Sequence, residues 1–445
     1  MHNQGVGSRK ARPYGIVRFI LTPSQLRRPK IPILLCAFIT LLNDRLGETV
    51  ILPLLPKLKQ LFGISATTLG LLAGTYALAQ FAVAPLIGAL SDRFGRKPVI
   101  TICVAGSVIG LGLFTITIGI DWSSMLPAFA GETSLILILL FTSRIIDGAS
   151  GGTVASATAV LADISKPENR AKAFGLIGVA FGLGFVLGPF LGGLLTERNL
   201  ILPALAATAF AITNLILVIG LLPETHPPEA RKALPPKGLL NPITQLKIVF
   251  TNPIVRRLCI AFFLFFMAFN GLTAMLLLYL EEVFQWDGML PGLSLAVVGV
   301  VAMIVQGGLI GPLVKYFGEW RLTLGGIGFV IAGCLLIAIA KPSNSIPVVF
   351  SALPLLAIGT GLVVPSLRAL VSRRLDGSGQ GAVLGSLQGL QSLGTFIGAA
   401  AAGLAYEQIG PRSPFWLGII VIAIVGVLVA GGLPGTKSNT AIKQS

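Results

Sequence analysis

Two short clusters of charged residues stand inside segments that are otherwise apolar. One cluster is Asp44, Arg45 and Glu48, and the other is Arg144 and Asp147. A charge in the middle of a bilayer costs several kcal/mol, so it is kept where it is paired, wet or useful. Asp44 and Glu48 share a helix face at i, i+4, and each arginine can reach the acid three residues further on.

Two interpretations of these clusters remain open. In the first, a carboxylate takes up a proton from outside and releases it inside in exchange with a substrate. Asp44 is the leading candidate for this proton coupling and Glu48 is the second. In the other interpretation the charges form static ion pairs that fix helix packing, which suits Asp147 as a partner of Arg144. Arg144 itself could bind substrate or tune a neighbouring carboxyl group.

The second half of the chain offers amides as its candidate substrate-binding groups. These are Asn270, Gln306, Gln388 and Gln391. A cluster of phenylalanines precedes Asn270: Phe262, Phe263, Phe265, Phe266 and Phe269. Amides beside aromatic rings suit an amphiphilic organic molecule, although the rings could equally face lipid. Arg368 is predicted to lie nearer the cytoplasmic end of its helix and to snorkel toward the membrane surface.

The composition requires that membrane helices position these residues. Of 445 residues 54% are hydrophobic and only 11% are charged, and the mean hydropathy is +0.87. A soluble protein would carry about 25% charged residues. The apolar runs last roughly 20 residues, which is the length that a helix needs to cross a bilayer. The net charge of +16 does not indicate a nucleic-acid partner, because the basic residues lie in loops on one side of the membrane.

Twelve spans follow from the apolar runs. They are predicted at 31–53, 68–89, 98–119, 135–162, 172–195, 201–222, 256–280, 291–313, 322–340, 346–371, 380–404 and 414–433. With a cytoplasmic amino terminus, 26 of the 33 Lys and Arg residues fall in inner segments and five in outer loops. This bias predicts that both termini are cytoplasmic.

The spans divide into two halves of six. The predicted parts are a basic tail 1–30, a first half 31–222, a proline-rich linker 223–255, a second half 256–434 and a tail 435–445. The loops Gly88–Gly95 and Gly311–Gly318 share Gly, Leu, Phe and Gly at matching offsets. An internal repeat of this kind is common in secondary transporters.

The first of these repeated loops resembles a known family signature. Gly88-Ala-Leu-Ser-Asp92-Arg93-Phe-Gly95-Arg96 resembles the pattern G-x-L-a-D-r-x-G-r of the major facilitator superfamily. Gly88 permits close helix contact, Gly95 permits a tight turn, and Asp92 can accept hydrogen bonds from amides at a neighbouring helix start. The resemblance implies that this loop is a conformational latch between halves. A basic loop without a gating role is the alternative.

Two further motifs extend the resemblance. Gly184-Phe-Val-Leu-Gly188-Pro189-Phe-Leu-Gly192-Gly193 resembles the antiporter motif G-x-x-x-G-P-x-x-G-G of the same superfamily. Small residues at this spacing let helices approach closely, and the full pattern implies efflux. The segment from Leu140 to Gly148 is similar to the motif l-x-x-x-R-x-x-q-G, with Asp147 in place of the usual Gln.

Nearly the whole chain resembles the tetracycline exporters of this superfamily. On the first span, an acid is followed by Gly47 and later by Pro53 and Pro56, as in those proteins. Three positions depart from them. The tetracycline exporters carry an acid, an acid and a histidine where this chain has Gly110, Val330 and Ala302. The departures argue against tetracycline as the substrate, though not against export.

The resemblance implies an all-α membrane protein with the major facilitator fold, 12 transmembrane helices in two six-helix halves. The expected function is proton-coupled efflux of a drug-like or amphiphilic molecule by alternating access. The alternatives are a symporter that imports a sugar or an organic acid, and a lipid or polyamine mover. No H-E-x-x-H, G-x-S-x-G or Walker pattern indicates an enzyme. Substrate, protons and the lipid bilayer are the expected partners of a monomer in the inner membrane. No nucleic acid, cofactor or metal is expected.

Overall fold

The computed structural model of the chain describes residues 30–120, 132–164, 170–231, 234, 241–244, 253–286, 289–372 and 380–431. The regular elements in these residues are helical, and fourteen of them are α-helices. They are α1 (Lys30–Thr49), α2 (Leu55–Phe62), α3 (Ala66–Phe94), α4 (Arg96–Gly119), α5 (Glu132–Ser150), α6 (Thr153–Ile164), α7 (Arg170–Thr196), α8 (Ile201–Leu221), α9 (Pro253–Phe284), α10 (Met289–Ile304), α11 (Ile310–Ile339), α12 (Ser345–Ser372), α13 (Gln380–Gln408) and α14 (Ser413–Ala430). The all-helical prediction is confirmed for this part of the chain.

Most of these helices are long and apolar enough to cross a bilayer. Nine stretches of the described residues meet that test, and one of them, Leu290–Ile339, contains two predicted spans. The predicted spans 31–53 and 380–404 are not among the nine. The first carries three charged residues, and the second is rich in Gly, Ala, Ser and Gln. Both helices face other helices, where a membrane protein keeps its polar side chains.

Proline and glycine break two predicted spans of the first half. In the span 31–53, α1 ends at Thr49, and a 3-10 turn with Pro53 at its start leads into α2. In the span 135–162, Gly151 and Gly152 separate α5 from α6. Helices bend where proline removes a hydrogen bond or where glycine loosens the backbone. At the second break, the Gly151 carbonyl oxygen accepts a hydrogen bond from Gln80 Nε2 at 3.1 Å.

The second half has a comparable break. A π-helical segment, Val305–Leu309, joins α10 to α11. Gly318, at the end of the repeated loop, has a φ of +75° and turns the chain between two predicted spans within α11. A residue with a side chain is strained at this φ, so glycine is required there.

Small residues bring helices of the two halves together. A Cβ on Gly70 of α3 would lie 2.3 Å from the carbonyl oxygen of Ala399 on α13. A Cβ on Gly193 of α7 would lie 2.9 Å from the Cα of Gly292 on α10. Lipid tails are as apolar as the helix surfaces, so the hydrophobic effect does not drive these helices together. Close backbone packing at small residues holds membrane helices together instead.

The outside of the helix bundle is apolar. Large aliphatic side chains such as Ile102, Ile138 and Val427 are well exposed, as expected for lipid-facing positions. Phe262 and Phe265 are instead completely buried, so these two rings face protein and not lipid. We call the end of the bundle with the loop between α3 and α4 the inner end, and the opposite end the outer end, following the predicted orientation.

The two predicted tails lie outside the described residues except for Lys30, and so does much of the linker 223–255. The division into halves with these boundaries therefore stays a prediction.

Candidate functional site

Asp44 lies on α1 and is surrounded by hydrogen-bond donors. Its Oδ2 accepts from Arg45 Nη2 at 2.7 Å and from Arg45 Nε at 3.1 Å. Its Oδ1 accepts from the hydroxyl groups of Tyr76 at 2.9 Å and Thr153 at 3.4 Å. Only 2% of the side chain is exposed. Four donors match the acceptor capacity of an ionised carboxylate, so Asp44 is held in place by three helices.

Glu48 lies one turn further along α1 and also pairs with Arg45. Its side chain is 22% exposed, which is far more than that of Asp44, and it borders a cavity. The Arg45 guanidinium lies 4.6 Å from the centre of the Phe181 ring, which limits its movement. One arginine thus serves two carboxylates, and only the second of them is open to the cavity.

Arg144 and Asp147 form a separate ion pair on α5. Arg144 Nη1 lies 3.1 Å from Asp147 Oδ2 and donates to the carbonyl oxygen of Gly47 at 3.4 Å. The guanidinium also lies 4.8 Å from the centre of the Tyr76 ring. Its buried Nε has no hydrogen-bond partner among the described residues. Arg144 therefore links α5 to α1, and its Nε donor remains free to bind another group.

Glu48 and Arg144 line the same small cavity between the halves. Its volume is about 40 Å³, which holds a few waters but not a drug-sized molecule. The other lining residues are Thr49, Ile51, Leu52, Leu55, Ala73, Phe185, Asn270, Thr273, Ala274, Thr395 and Ala399. A substrate of ordinary size must bind in a conformation in which this cavity is wider.

The amides of the second half occupy different places. Asn270 lines the cavity, and its Nδ2 donates to the carbonyl oxygen of Phe266 at 3.0 Å. Gln306 lies in the π-helical segment beside Gly361 and outside the cavity lining. Single π-helical turns are frequent at functional sites because they loosen the helix locally.

Gln388 and Gln391 on α13 both accept hydrogen bonds from Arg368 on α12. Arg368 Nη2 lies 2.6 Å from Gln391 Oε1 and 3.4 Å from Gln388 Oε1. The guanidinium lies 5.7 Å from the centre of the Phe262 ring. Arg368, predicted to snorkel toward the membrane surface, is thus turned toward neighbouring helices.

The glycines of α7 form the surface on which α1 rests. A Cβ on Gly184 would lie 2.4 Å from the Cβ of Arg45, and a Cβ on Gly188 would lie 2.0 Å from Thr49 Oγ1. Gly192 meets the chain that follows α1 at 3.0 Å. The Thr49 hydroxyl also donates to the carbonyl oxygen of Gly184 at 3.0 Å. Three glycines of the antiporter motif therefore seat the helix that carries the acids.

The other two residues of that motif face the second half. The Pro189 carbonyl oxygen and the Gly193 backbone lie at 3.0 Å and 3.1 Å from the position of a Cβ on Gly292 of α10. Pro189 lies inside α7, where it cannot donate to the helix ladder. Helix α7 thus contacts α1 on one side and the opposite half on another.

The inner loop between α3 and α4 is organised by charge. Asp92 Oδ1 lies 2.6 Å from Arg96 Nη1, and Arg96 Nε lies 3.3 Å from Asp163 Oδ2. The backbone amides of Arg96 and Lys97, at the start of α4, donate to the Glu224 carboxylate at 2.8 Å and 3.3 Å. The role of accepting these amides, expected for Asp92, belongs to Glu224 in this conformation.

The glycines of the loop differ in their surroundings. Gly95 has a φ of +107°, and a Cβ there would lie 2.2 Å from a Glu224 oxygen, so only glycine fits. A Cβ on Gly88 would meet no described atom within 4 Å. The exposed Arg93 lies 5.2 Å from the centre of the Phe94 ring. Of the partners of the loop named here, Asp163 belongs to the first half of the chain and Glu224 lies at the start of the predicted linker.

The outer end is closed by contacts between the halves. Lys57 Nζ and Gln60 Nε2, both on α2, lie 3.0 Å and 2.6 Å from Glu281 Oε1 on α9. Lys59 on the same helix pairs with Glu282. These contacts lie at the end opposite to the latch loop, so the bundle is sealed on its predicted outer side.

A second set of outer contacts joins α3 and α9 to α13. The Thr67 amide donates to Glu407 at 3.0 Å, and the Tyr406 hydroxyl donates to Glu282 at 2.7 Å. Both α13 residues lie beyond the predicted span 380–404. The Thr67 hydrogen bonds lower the pKa of the Glu407 carboxyl group. Burial, followed by the hydrogen bond to Glu282, raises the pKa of Tyr406.

Sequence reasoning did not assign roles to several of these residues. Tyr76 and Thr153 are uncharged and lie on other helices than Asp44, so no spacing pattern connects them. Glu281 and Glu282 carry a signal that could have been used, because they are adjacent acids at an outer helix end. The only basic residues of the first outer loop, Lys57 and Lys59, are their natural partners.

The chain is similar to known proteins in sequence and in fold. Residues 33–398 match the family described as Major Facilitator Superfamily. The chain belongs to that superfamily. It is therefore a multi-pass membrane transporter, and the twelve-helix fold predicted in two halves is confirmed by the structural relatives of this superfamily.

Tetracycline resistance proteins are among the sequence relatives of this superfamily member. The chain is 35% identical over 362 residues to the tetracycline resistance protein, class C, of Escherichia coli. The match covers 81% of this chain and 86% of that protein. The predicted resemblance to tetracycline resistance proteins is confirmed.

Solved structures give the same fold. The crystal structure of the human organic anion transporter MFSD10 (TETRAN) is 27% identical with a TM-score of 0.68, covering 91% of this chain and 100% of that one. The nucleoside transporter NupG is 14% identical with a TM-score of 0.70, covering 90% of this chain and 100% of the other. NupG shows the fold alone.

Proposed function

We propose that this member of the superfamily exports amphiphilic small molecules in exchange for protons. One observation supports the proposal above the others. The Glu48 carboxylate borders the cavity between the halves while it shares Arg45 with the enclosed Asp44. An acid that meets water on one side and an ion-pair network on the other is suited to take up and release a proton.

The net charge of this network can be neutralised by one proton. Asp44 and Glu48 are negative when ionised and Arg45 is positive, so the three groups together have a net charge of −1. Arg144 and Asp147 compensate each other. One bound proton makes the network neutral, which lowers the cost of holding it in the membrane. The proton belongs to the coupled pair, because protonation of either acid changes how the other is paired.

Glu48 is the point at which the proton enters and leaves. Its side chain is 22% exposed, whereas the Asp44 side chain is 2% exposed. Asp44 remains the proposed main coupling group, since its four donors come from α1, α3 and α6. A proton passed to Asp44 would remove the acceptor that holds these helices together.

Helix packing can convert this change of charge into a conformational change. Gly184 and Gly188 let α1 lie directly on α7, and α7 also contacts α10 of the other half. A change in the pairing of Arg45 therefore acts at the seam where the halves move against each other. We assign the latch loop, with Asp92 and Arg96, to the inner end of the same cycle.

The proposed direction is export. The antiporter motif and the similarity to tetracycline resistance proteins support it. Arg144 and Asn270 are proposed to contact substrate in the widened cavity. Gln306, Gln388 and Gln391 are proposed to contact it from the second half. The protein is proposed to act as a monomer in the inner membrane with both termini cytoplasmic.

Inverted membrane vesicles test this proposal. Vesicles that contain the protein should accumulate fluorescent amphiphiles when the lumen is acid, and a protonophore should abolish the accumulation. Accumulation that is independent of the proton gradient, or that occurs only in right-side-out vesicles, would refute proton-coupled export. The second outcome would support the alternative of metabolite import.

The coupling residues are tested in the same vesicles. Glu48→Gln and Asp44→Asn should each abolish accumulation, while Glu197→Gln, a change at an exposed acid on the outer side, should not. Normal substrate-driven proton release by purified Asp44→Asn protein would remove Asp44 from the mechanism and leave Glu48.

A further inference from the structure

Arg368 differs from the other arginines of the membrane interior. Arg45 forms ion pairs with Asp44 and Glu48, and Arg144 forms an ion pair with Asp147. Arg368 has only neutral acceptors, the side-chain oxygens of Gln391 and Gln388. Among the described residues, no carboxylate lies within 4.0 Å of its guanidinium. A cation placed among amides and aromatic rings in a membrane helix lacks the counter-charge that would compensate its desolvation.

The guanidinium is presented in a way that leaves room for an acceptor. Both hydrogen bonds use Nη2, so neither the Nη1 nor the Nε donor takes part in them. The side chain is only partly buried, and the Phe262 ring supports one side of the guanidinium. Arginine presents its donors as a planar fork that binds a carboxylate with two hydrogen bonds. The glutamines fix the fork, which reduces the entropy lost when it binds.

Arg368 also lies where an exported molecule must pass. It is four residues from the inner end of α12, or about 6 Å along the helix axis. The hydroxyl of Ser392, next to Gln391, donates across the seam to Gln80 Oε1 of the first half at 3.1 Å. Arg368 therefore lies between the inner end of α12 and a contact that joins the two halves.

We propose that Arg368, held by Gln388 and Gln391, binds the anionic group of the substrate, and that the substrate class is amphiphilic organic anions with a carboxylate. This inference rests on the proposed export function and names the chemistry of its substrate. The anion supplies the counter-charge that the protein lacks. The apolar body of the substrate then occupies the space between the halves that opens when the cavity widens.

The binding test uses three probes of one shape. They are a naphthalene carboxylate, its uncharged amide and the corresponding amine, each measured by fluorescence titration against the full-length protein in nanodiscs. The wild-type protein should bind the carboxylate at least tenfold more tightly than the amide, since a charge-assisted bidentate pair is worth about that factor or more. Equal binding of carboxylate and amide, or tighter binding of the amine, overturns the proposal without any variant.

Variants assign the preference to Arg368. Arg368→Gln should bind carboxylate and amide equally, and Arg368→Lys should keep part of the preference because it keeps the charge. Arg256→Gln is the matched control, since it removes an exposed positive charge near the inner end of α9. A preference that survives in Arg368→Gln, or that is lost equally in Arg256→Gln, contradicts the inference.

A thermal measurement separates binding from a structural role. If the role of Arg368 is to bind the substrate anion, the substrate-free Arg368→Gln variant should unfold at the same temperature as the wild type or higher. The substitution removes an uncompensated charge. A lower unfolding temperature in Arg368→Gln, with Arg368→Lys restoring it, would show a structural cation and overturn the proposal. Failure of the proposed export function is distinguishable, because carboxylate preference would persist while proton-driven accumulation in vesicles is absent.

Discussion

The contacts between the halves at the outer end should set how often that end opens. The double variant Glu281→Gln, Glu282→Gln removes the negative partners of Lys57 and Lys59. These ion pairs are partly exposed, with 41% of Lys57 and 31% of Lys59 accessible, so each contributes about 0.2–1 kcal/mol. The hydrogen bond from Gln60 to Glu281 is affected as well. The closed state should lose about 1–2 kcal/mol, which changes the ratio of closed to open molecules roughly 5- to 30-fold.

Spin labels can measure that ratio directly. Leu61 at the end of α2 and Ile409 after α13 are well exposed and belong to different halves. The four native cysteines are buried, so labels attached to Leu61→Cys and Ile409→Cys should be selective. In the double variant, the distance distribution should gain a longer component. The matched control is Glu197→Gln. A distribution that does not change in the double variant would falsify the view that these pairs hold the outer end closed.

Acid should weaken the same closure through Glu407. Its pKa is lower than that of an ordinary glutamate, chiefly because Thr67 donates to the ionised carboxylate. A lowered pKa in the closed state means that the stabilisation is present above the ordinary glutamate range and is lost as the pH falls through the lowered pKa. The longer spin-label distance should therefore grow on acidification, and Glu407→Gln should reduce that pH dependence. A wild-type distance that does not respond to acid would contradict this assignment.

Three further predictions concern the transport cycle. Glu48→Gln should abolish substrate-driven proton release from detergent-solubilised protein, and Asp44→Asn should do the same; release by either variant excludes that acid. Asp92→Asn should slow turnover with little change in substrate affinity, and a large loss of affinity at normal turnover would argue against a latch. Gly188→Ala should destabilise the protein by about 1–3 kcal/mol because the added methyl group overpacks α7 against α1. Gly220→Ala on α8, where a Cβ has open space, is its control, and equal thermal unfolding of the two variants would contradict close packing.

Some features of the site could be read from local spacing. The pairing of Arg45 with Glu48, and of Arg144 with Asp147, follows from positions three residues apart on one helix. The glycine pattern of the antiporter motif likewise indicated close helix approach. The partner helix could not be predicted, because the pattern shows which face is small and not what lies against it. The structure supplies α1 and α10.

Other assignments needed distances between helices that are remote in sequence. Asp92 and Glu224 are both acids near the start of α4, and only the folded chain shows which of them accepts the backbone amides. The difference in exposure between Asp44 and Glu48 has the same origin. Both acids lie on one face of α1, but Tyr76 and Thr153 from other helices enclose only Asp44.

The sequence by itself determined that this chain crosses a membrane many times and resembles a family of transporters. Hydrophobic length, loop charge and glycine spacing are local properties of the sequence. Each apolar segment inserts into the bilayer according to its own length, and the flanking charges set its orientation. Only the tertiary structure decided which charges compensate each other. Arg368 shows why, since its surroundings come from α9, α12 and α13, and its lack of a carboxylate partner among the described residues is visible only when these helices are packed together.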